Sequence, residues 1–257
     1  MTIEVQRWED KFEIKPGVWV YVPSVEARKV GGKILQDVRN KWIPPLYFYH
    51  LRTGGHLKAA RLHLKSDFFA VVDIKQFFQS TSRSRITRDL KSYFTYSQAR
   101  EISTFSTVRN LSHSPHKHVL PFGFVQSPIL ATLCLDKSYF GSLLRRLNKH
   151  HDLKLSVFMD DVIISSNDLA QLQAAYDEAL VAMRKSGYQA NMSKTQAPSS
   201  KISVFNLTLS KGVMKVTSQK MSDFLIDFYS SNYEPHRIGV KNYVEAVNPG
   251  QAKLFKL

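Results

Sequence analysis

The clearest pattern along the chain is a set of short, unbroken apolar runs that end in aspartate. Residues 68–74, Phe68-Phe69-Ala70-Val71-Val72-Asp73-Ile74, carry no polar interruption before Asp73. Such a run predicts a buried strand, covered on one face or both, that ends on a carboxylate. A second apolar stretch surrounds Phe158-Met159-Asp160-Asp161, with Leu155 and Val157 before it and Val162, Ile163 and Ile164 after it. Two adjacent acids in that setting are costly unless they are hydrogen-bonded or bound to a cation. A β-hairpin with the acids at its tip and both arms buried resolves the conflict.

Helical spacing marks the other segments. Ile34, Leu35, Val38 and Trp42 recur on one face before a Pro44-Pro45 break. Residues 82–94 read as one basic helix capped by Ser82, with Ile86, Leu90, Tyr93 and Phe94 as its apolar face. Residues 110–119 read as a polar loop, and 128–147 as one helix, apolar early and basic late. Asn167 or Asp168 can cap a helix with the stripe Leu169, Leu172, Tyr176, Leu180 and Met183, ended by Gly187. Short strands are expected over 202–209 and 213–216, then one helix over 221–230 and a polar ending. Strands and helices alternate without a nucleotide-binding glycine fingerprint, which predicts an α+β sheet with helices behind it.

Composition narrows the function. Apolar residues make up 43% of 257, enough for a core. The one cysteine, Cys134, lies in an apolar stretch, so no disulfide framework forms within the chain; a reducing cytoplasm is the expected setting. No signal-peptide core or membrane-length run is evident. The net charge of +15 predicts a polyanionic partner, with nucleic acid first. Its basic residues are spread through many segments, as along a lined groove. His113, His116 and His118, with His150 and His151 later, have no cysteine nearby; their polar loop reads as phosphate-facing rather than as a zinc site.

If the two aspartate elements lie side by side, three carboxylates converge. That arrangement can hold a pair of hard divalent cations for an in-line displacement at phosphorus.

These residues, in order, resemble the reverse transcriptases, in particular their retron-type, defence-associated prokaryotic branch. The first motif is similar to Val72-Asp73-Ile74-Lys75-Gln76-Phe77-Phe78-Gln79-Ser80. The second is similar to Leu120-Pro121-Phe122-Gly123-Phe124-Val125-Gln126-Ser127-Pro128-Ile129-Leu130. The third is Phe158-Met159-Asp160-Asp161, the fourth Gly187-Tyr188-Gln189-Ala190-Asn191-Met192-Ser193-Lys194-Thr195, and the fifth Val204-Phe205-Asn206-Leu207-Thr208-Leu209. Tyr21-Val22-Pro23, Arg28, Leu35-Gln36, Gly54-Gly55, Ala60 and His63 extend the likeness, which spans roughly residues 20–225.

The resemblance implies a right-hand polymerase palm, a ferredoxin-like antiparallel sheet with helices, over residues 67–218. It places small fingers over 1–66 and a short thumb-like segment over 219–257. It implies metal ligation by Asp73, the Ile74 carbonyl, Asp160 and Asp161, with two Mg²⁺ ions and Mn²⁺ as a substitute. Lys194 would be a general acid toward pyrophosphate. Phe78 would exclude a 2′-hydroxyl. Phe122, Gly123, Gln126 and Arg28, with Lys29 beside it, would bind the nucleotide, Gly123 by letting the backbone approach the nascent base pair. Phe205, Asn206 and Leu207 would grip the primer.

The chain departs from the pattern at Phe122, where a glutamine is usual, and at Phe158, where a tyrosine is usual. About 30 residues follow the fifth motif's hairpin region, so a structured non-coding RNA, a partner subunit or a second copy is expected to complete the clamp. Deoxynucleoside triphosphates and a DNA product are the implied small and large ligands, and no membrane is involved. Two other readings stay open: template-free or protein-primed nucleotide addition by the same site, and a non-catalytic RNA-binding scaffold. An RNA-dependent RNA polymerase fits less well, given Phe78 and the absence of Gly-Asp-Asp.

Overall fold

In the computed structural model, which describes residues 5–111 and 116–256, the chain opens on an antiparallel hairpin of β1 (Trp8–Lys15) and β2 (Val18–Pro23). Ser24 caps α1 (Val25–Lys41) by accepting from the Ala27 N–H, and Ile34 and Val38 turn that helix to the core. A 3₁₀ turn at Tyr49–Leu51 and α2 (Gly55–Arg61) lead into β3 (Phe68–Asp73). There follow α3 (Arg83–Leu90), α4 (Tyr96–Ser106), and the two-residue strands β4 (Val108–Arg109) and β5 (His118–Val119). Next come α5 (Ser127–Asp136) and α6 (Tyr139–Lys149). The aspartate hairpin is β6 (Lys154–Phe158) and β7 (Asp161–Ser166), followed by α7 (Leu169–Lys185) and β8 (Gln196–Ser199).

The central sheet has the order β6-β7-β3-β8, with every neighbouring pair antiparallel. Alternation along β3 and β7 explains why their runs are apolar throughout. Ala70, Val72, Val162 and Ile164 face a core built with α5, α6 and α7. Phe69, Val71 and Ile163 face a second core on the opposite side. Each fully buried side chain of this size contributes about 1.5–3 kcal/mol. A one-residue slip would exchange the two cores, so the register is strongly specified.

The second core is closed by a three-stranded sheet of β9 (Lys201–Val204), β10 (Leu207–Ser210) and β11 (Val213–Val216). Three helices complete it: α8 (Ser218–Ser230), α9 (Glu234–Val247) and α10 (Pro249–Ala252).

Several predicted elements differ. The helix expected over 82–94 ends at Leu90, and α4, which the spacing does not predict, follows it. The helix expected over 128–147 is two. Ser138 breaks it by capping α6, accepting from the Gly141 N–H. Asp136, at the end of α5, is buried and accepts from Trp42 Nε1 at 3.1 Å and Arg145 Nε at 3.0 Å. The strand expected over 202–209 turns at Phe205 and Asn206, whose φ values of 56° and 60° are left-handed. The ending is not a polar tail: α9 buries Val240, Val244 and Val247. The first hairpin, β1 and β2, is likewise absent from the sequence pattern.

Candidate active site

β3 and β7 deliver two acids to one end of the sheet. Asp73 and Asp161 are direct partners in the ladder, and Phe158 pairs with Asp161 across the hairpin. The turn between them, Met159-Asp160, puts Met159 in the left-handed region at φ 59°. The Ile74 N–H donates to the Asp160 carbonyl at 2.9 Å, tying the tip of the hairpin to the end of β3. On the other side, the fourth-motif segment closes in. Asn191 N–H donates to the Asp73 carbonyl at 2.9 Å, and Thr195 Oγ1 accepts from the Asp73 N–H at 3.2 Å.

The electrostatics follow from burial. Asp73 is 1% exposed. Burial, then Asp160, then Asp73 push the Asp161 carboxyl up to about 7. Burial and then Asp73 raise Asp160 as well, against a backbone hydrogen bond that lowers it. The counter-charge is Lys194, whose Nζ lies 3.2 Å from Asp73 Oδ2. Burial lowers the Lys194 ammonium, but attraction to Asp73, Asp160 and Asp161 outweighs it and the net shift is upward. Lys194, with Lys15 adding attraction at Asp160, thus faces three acids.

That imbalance, with oxygen donors only, fits hard divalent ions. The three carboxylates do not close on a single point. Among the described residues, only His150, His151 and Asp152 bring three ligand atoms within 4.8 Å of one another, and all three are exposed. A single-ion cage would gather its ligands more closely than the three aspartates are.

Sequence reasoning missed the support for the hairpin tip. His50 Nδ1 accepts from the Met159 N–H at 2.9 Å, and its Nε2 lies 2.7 Å from Thr132 Oγ1, which donates to the Pro128 carbonyl. The network assigns the tautomer: Nδ1 is bare and Nε2 carries the proton. Burial holds this imidazole down to about 4, so it stays neutral and keeps accepting at neutral pH. His63, a motif residue without a role assigned from sequence, is fully buried between Ser165 and Ser156, at 2.7 and 2.8 Å, bridging α2's exit to β7 and β6. His56 contacts Phe158, Phe205 and Tyr243 by its ring.

The remaining predicted residues divide. Phe205 reaches the site, its ring 5.4 Å from that of Phe158, and Asn206 beside it is exposed. Leu207 is fully buried in the second core, so its side chain cannot touch a primer. Phe78 is 7% exposed, edge-on to Phe122 at 4.9 Å. Gln126 does not face a ligand. It is buried, its amide donating to Ser106 Oγ at 3.2 Å and lying where a Cβ on Gly31 would sit. Gly123, at φ 98°, is required by the Tyr21 carbonyl, which a Cβ there would overlap. That accounts for the glycine without a base pair. Arg28 is exposed and donates to the Pro23 carbonyl at 3.1 Å; Lys29 is exposed beside it.

Of the loop histidines, His113 lies outside the described residues, while His116 and His118 line a basic cavity. Cys134 is buried, as expected. Among the described residues, no helix is long and apolar enough to cross a membrane.

No curated protein matches the sequence. Among solved structures, the chain is similar to a foamy viral protease–reverse transcriptase, dRH, in complex with double-stranded DNA. The identity is 16%, the TM-score 0.51, and the likeness covers 88% of this chain and 33% of that one. A foamy viral protease–reverse transcriptase in complex with double-stranded DNA follows at 15% identity, TM-score 0.49, covering 88% of this chain and 40% of that one. The chain spans about a third of the length of the first. At such identity the first likeness speaks to the fold, and it is that of a reverse transcriptase palm. The model of the family described as Reverse transcriptase (RNA-dependent DNA polymerase) matches residues 20–226, most of the chain and all five motifs, so this chain belongs to the reverse transcriptase family.

Proposed function

We propose that this chain is an RNA-templated DNA polymerase in which Asp73, Asp160 and Asp161, with the Ile74 carbonyl, hold two Mg²⁺ ions, or Mn²⁺ in their place. The observation that carries the reading is the direct pairing of Asp73 with Asp161 across β3 and β7 at the end where the Asp160 turn is tied down. Divalent ions bound there supply activation of the primer 3′-hydroxyl and charge neutralisation at the triphosphate. Lys194, already beside Asp73, donates a proton to the departing pyrophosphate. Phe78, wedged against Phe122, leaves a deoxyribose accommodated and a 2′-hydroxyl excluded. Phe205 and the exposed Asn206 face the primer, while His50 and His63 hold the hairpin that carries the acids.

The finer reading is a retron-type, defence-associated prokaryotic enzyme, cytoplasmic, copying a structured non-coding RNA into DNA. It is supported by the motif resemblance and by the charge of +15, which suits an RNA partner. In this reading residues 1–66 act as fingers, 67–218 as palm and 219–257 as a thumb-like segment.

The test is primer extension on an RNA template with deoxynucleotides and Mg²⁺. Wild type should extend; Asp160→Asn should not, while RNA binding persists. Extension by the Asp160→Asn chain at the wild-type rate would remove the reading's basis.

A further inference from the structure

α3, α4 and the 116–118 segment line an open cavity of about 570 Å³ that none of the three aspartates borders. Arg83, Arg88, Lys91, Arg100 and Lys117 line it, and none of its described lining residues is acidic. Of these five, only Arg88 has a carboxylate partner among the described residues, Asp89 at 2.8 Å. Arg83 is held by Thr107 Oγ1 at 3.0 Å, which fixes its position without offsetting its charge. The first turn of α3 opens on the same space through Ser82, Arg83 and Ser84, adding the positive pole of a helix. The field is felt by His118: burial, then Arg83, Lys117, Arg7 and Arg109 push its imidazole below the ordinary value.

We propose that this cavity binds the phosphodiester backbone of a nucleic-acid strand at a second site, apart from the aspartates. Four cations with no carboxylate partner among the described residues, around one cavity, exceed what a single phosphate neutralises. A strand offers one charge per nucleotide in series, which matches a spread-out basic lining. Tyr96, 58% exposed at the rim, has the Lys91 ammonium 5.7 Å from its ring centroid, and a base stacking on its open face would use an interaction that a free anion does not. None of the residues assigned to the polymerase site lines this cavity. The second site would hold the template or cognate RNA outside the reaction centre.

The test is binding of a single-stranded RNA of roughly 30 nucleotides to the full chain across salt concentrations, without nucleotides present. The variant Lys91→Gln/Arg100→Gln/Lys117→Gln alters exposed positions only. Its affinity should fall at least tenfold at about 150 mM salt, and the slope of log K against log salt should become shallower by about two, at ~0.7 for each phosphate left without its cation. The charge-preserving variant Lys91→Arg/Arg100→Lys/Lys117→Arg should bind as wild type, which separates lost charge from lost folding. Unchanged affinity and slope in the neutral variant would overturn the site. So would equal losses in both variants. If inorganic pyrophosphate raises the melting temperature of wild type, but not of the neutral variant, by as much as the RNA does, the occupant is a free anion and the proposal fails. No step depends on synthesis, so a chain inactive in primer extension leaves this result standing.

Discussion

Lys194 Nζ sits 3.2 Å from Asp73 Oδ2, so the cation paired with this acid belongs to the fourth motif and its partner to the first. The lysine is exposed while the aspartate is buried, which leaves the ammonium free to turn toward a leaving group. Replacing Lys194 by Ala should lower the rate of single-nucleotide incorporation about 100-fold, the lower range for a lost general acid, with little change in primer–template affinity. Lys194→Arg should restore charge balance but not proton donation, because a guanidinium does not release its proton. Rapid-quench kinetics read both. Full activity in the Arg variant would reduce Lys194 to a counter-charge.

The acids themselves make the metal-free fold pH-sensitive. Asp161 titrates at about 7 in the fold against an ordinary 3.8. The folded state therefore binds that proton more tightly than the unfolded chain. Its stabilising contribution is full below about pH 4 and is lost as pH rises through about 7. Asp161→Asn should raise the melting temperature at pH 8 in a chelator, with the gain vanishing near pH 4. Millimolar Mg²⁺ at pH 8 should then narrow the gap by stabilising wild type, since a ligand of the folded state alone shifts the equilibrium by mass action. A variant no more stable than wild type at pH 8 would mean the carboxylates are not in conflict.

Phe78 has two roles to separate, gate and core. Its ring is buried and packed on Phe77 and Phe122. Shortening it to Val should cost roughly 1–3 kcal/mol of stability as the cavity partly collapses. If the ring also screens the sugar, the preference for deoxynucleotides in kcat/KM should drop tenfold or more, about 1.4 kcal/mol of discrimination. A stability loss with the sugar preference intact would leave only the core role.

The elements legible in the sequence are those whose burial is continuous or periodic. β3 and the β6–β7 hairpin are covered on both faces, and α7 carries an unmistakable stripe behind its Asp168 cap. α4 is not legible because the residues it buries are Ala99, Ser103, Phe105 and Ser106, mostly small and polar. α9 is hidden by Pro235 and Gly239, although Pro suits the first turn of a helix. In the site, the acids are legible from their apolar flanks. His50 is not, because its acceptor role exists only once Met159, 109 residues away, is folded against it. Gln126 and Leu207 mislead for the converse reason: a motif position says nothing about which side of the backbone faces the core.

Gly123 distinguishes a structural glycine from a ligand-facing one. The Tyr21 N–H donates to the Phe122 carbonyl at 3.0 Å, and Val20 bridges to Phe122, so β2 is fastened to the backbone just before Gly123. At φ 98° a Cβ would be strained whatever the space, and here it would also overlap the Tyr21 carbonyl. Gly123→Ala should therefore destabilise the chain by about 2 kcal/mol or more, read as a shift in urea midpoint. Gly17→Ala is the control. It is also left-handed, at φ 78°, but nothing lies within 4 Å of its added methyl, so only the backbone term of about 1 kcal/mol applies. Were Gly123 selected instead by a base pair in the cleft, the Ala variant would lose only the backbone term, as Gly17→Ala does, together with synthesis. Near-equal midpoints for the two variants, with activity lost only at position 123, would favour the ligand over the fold.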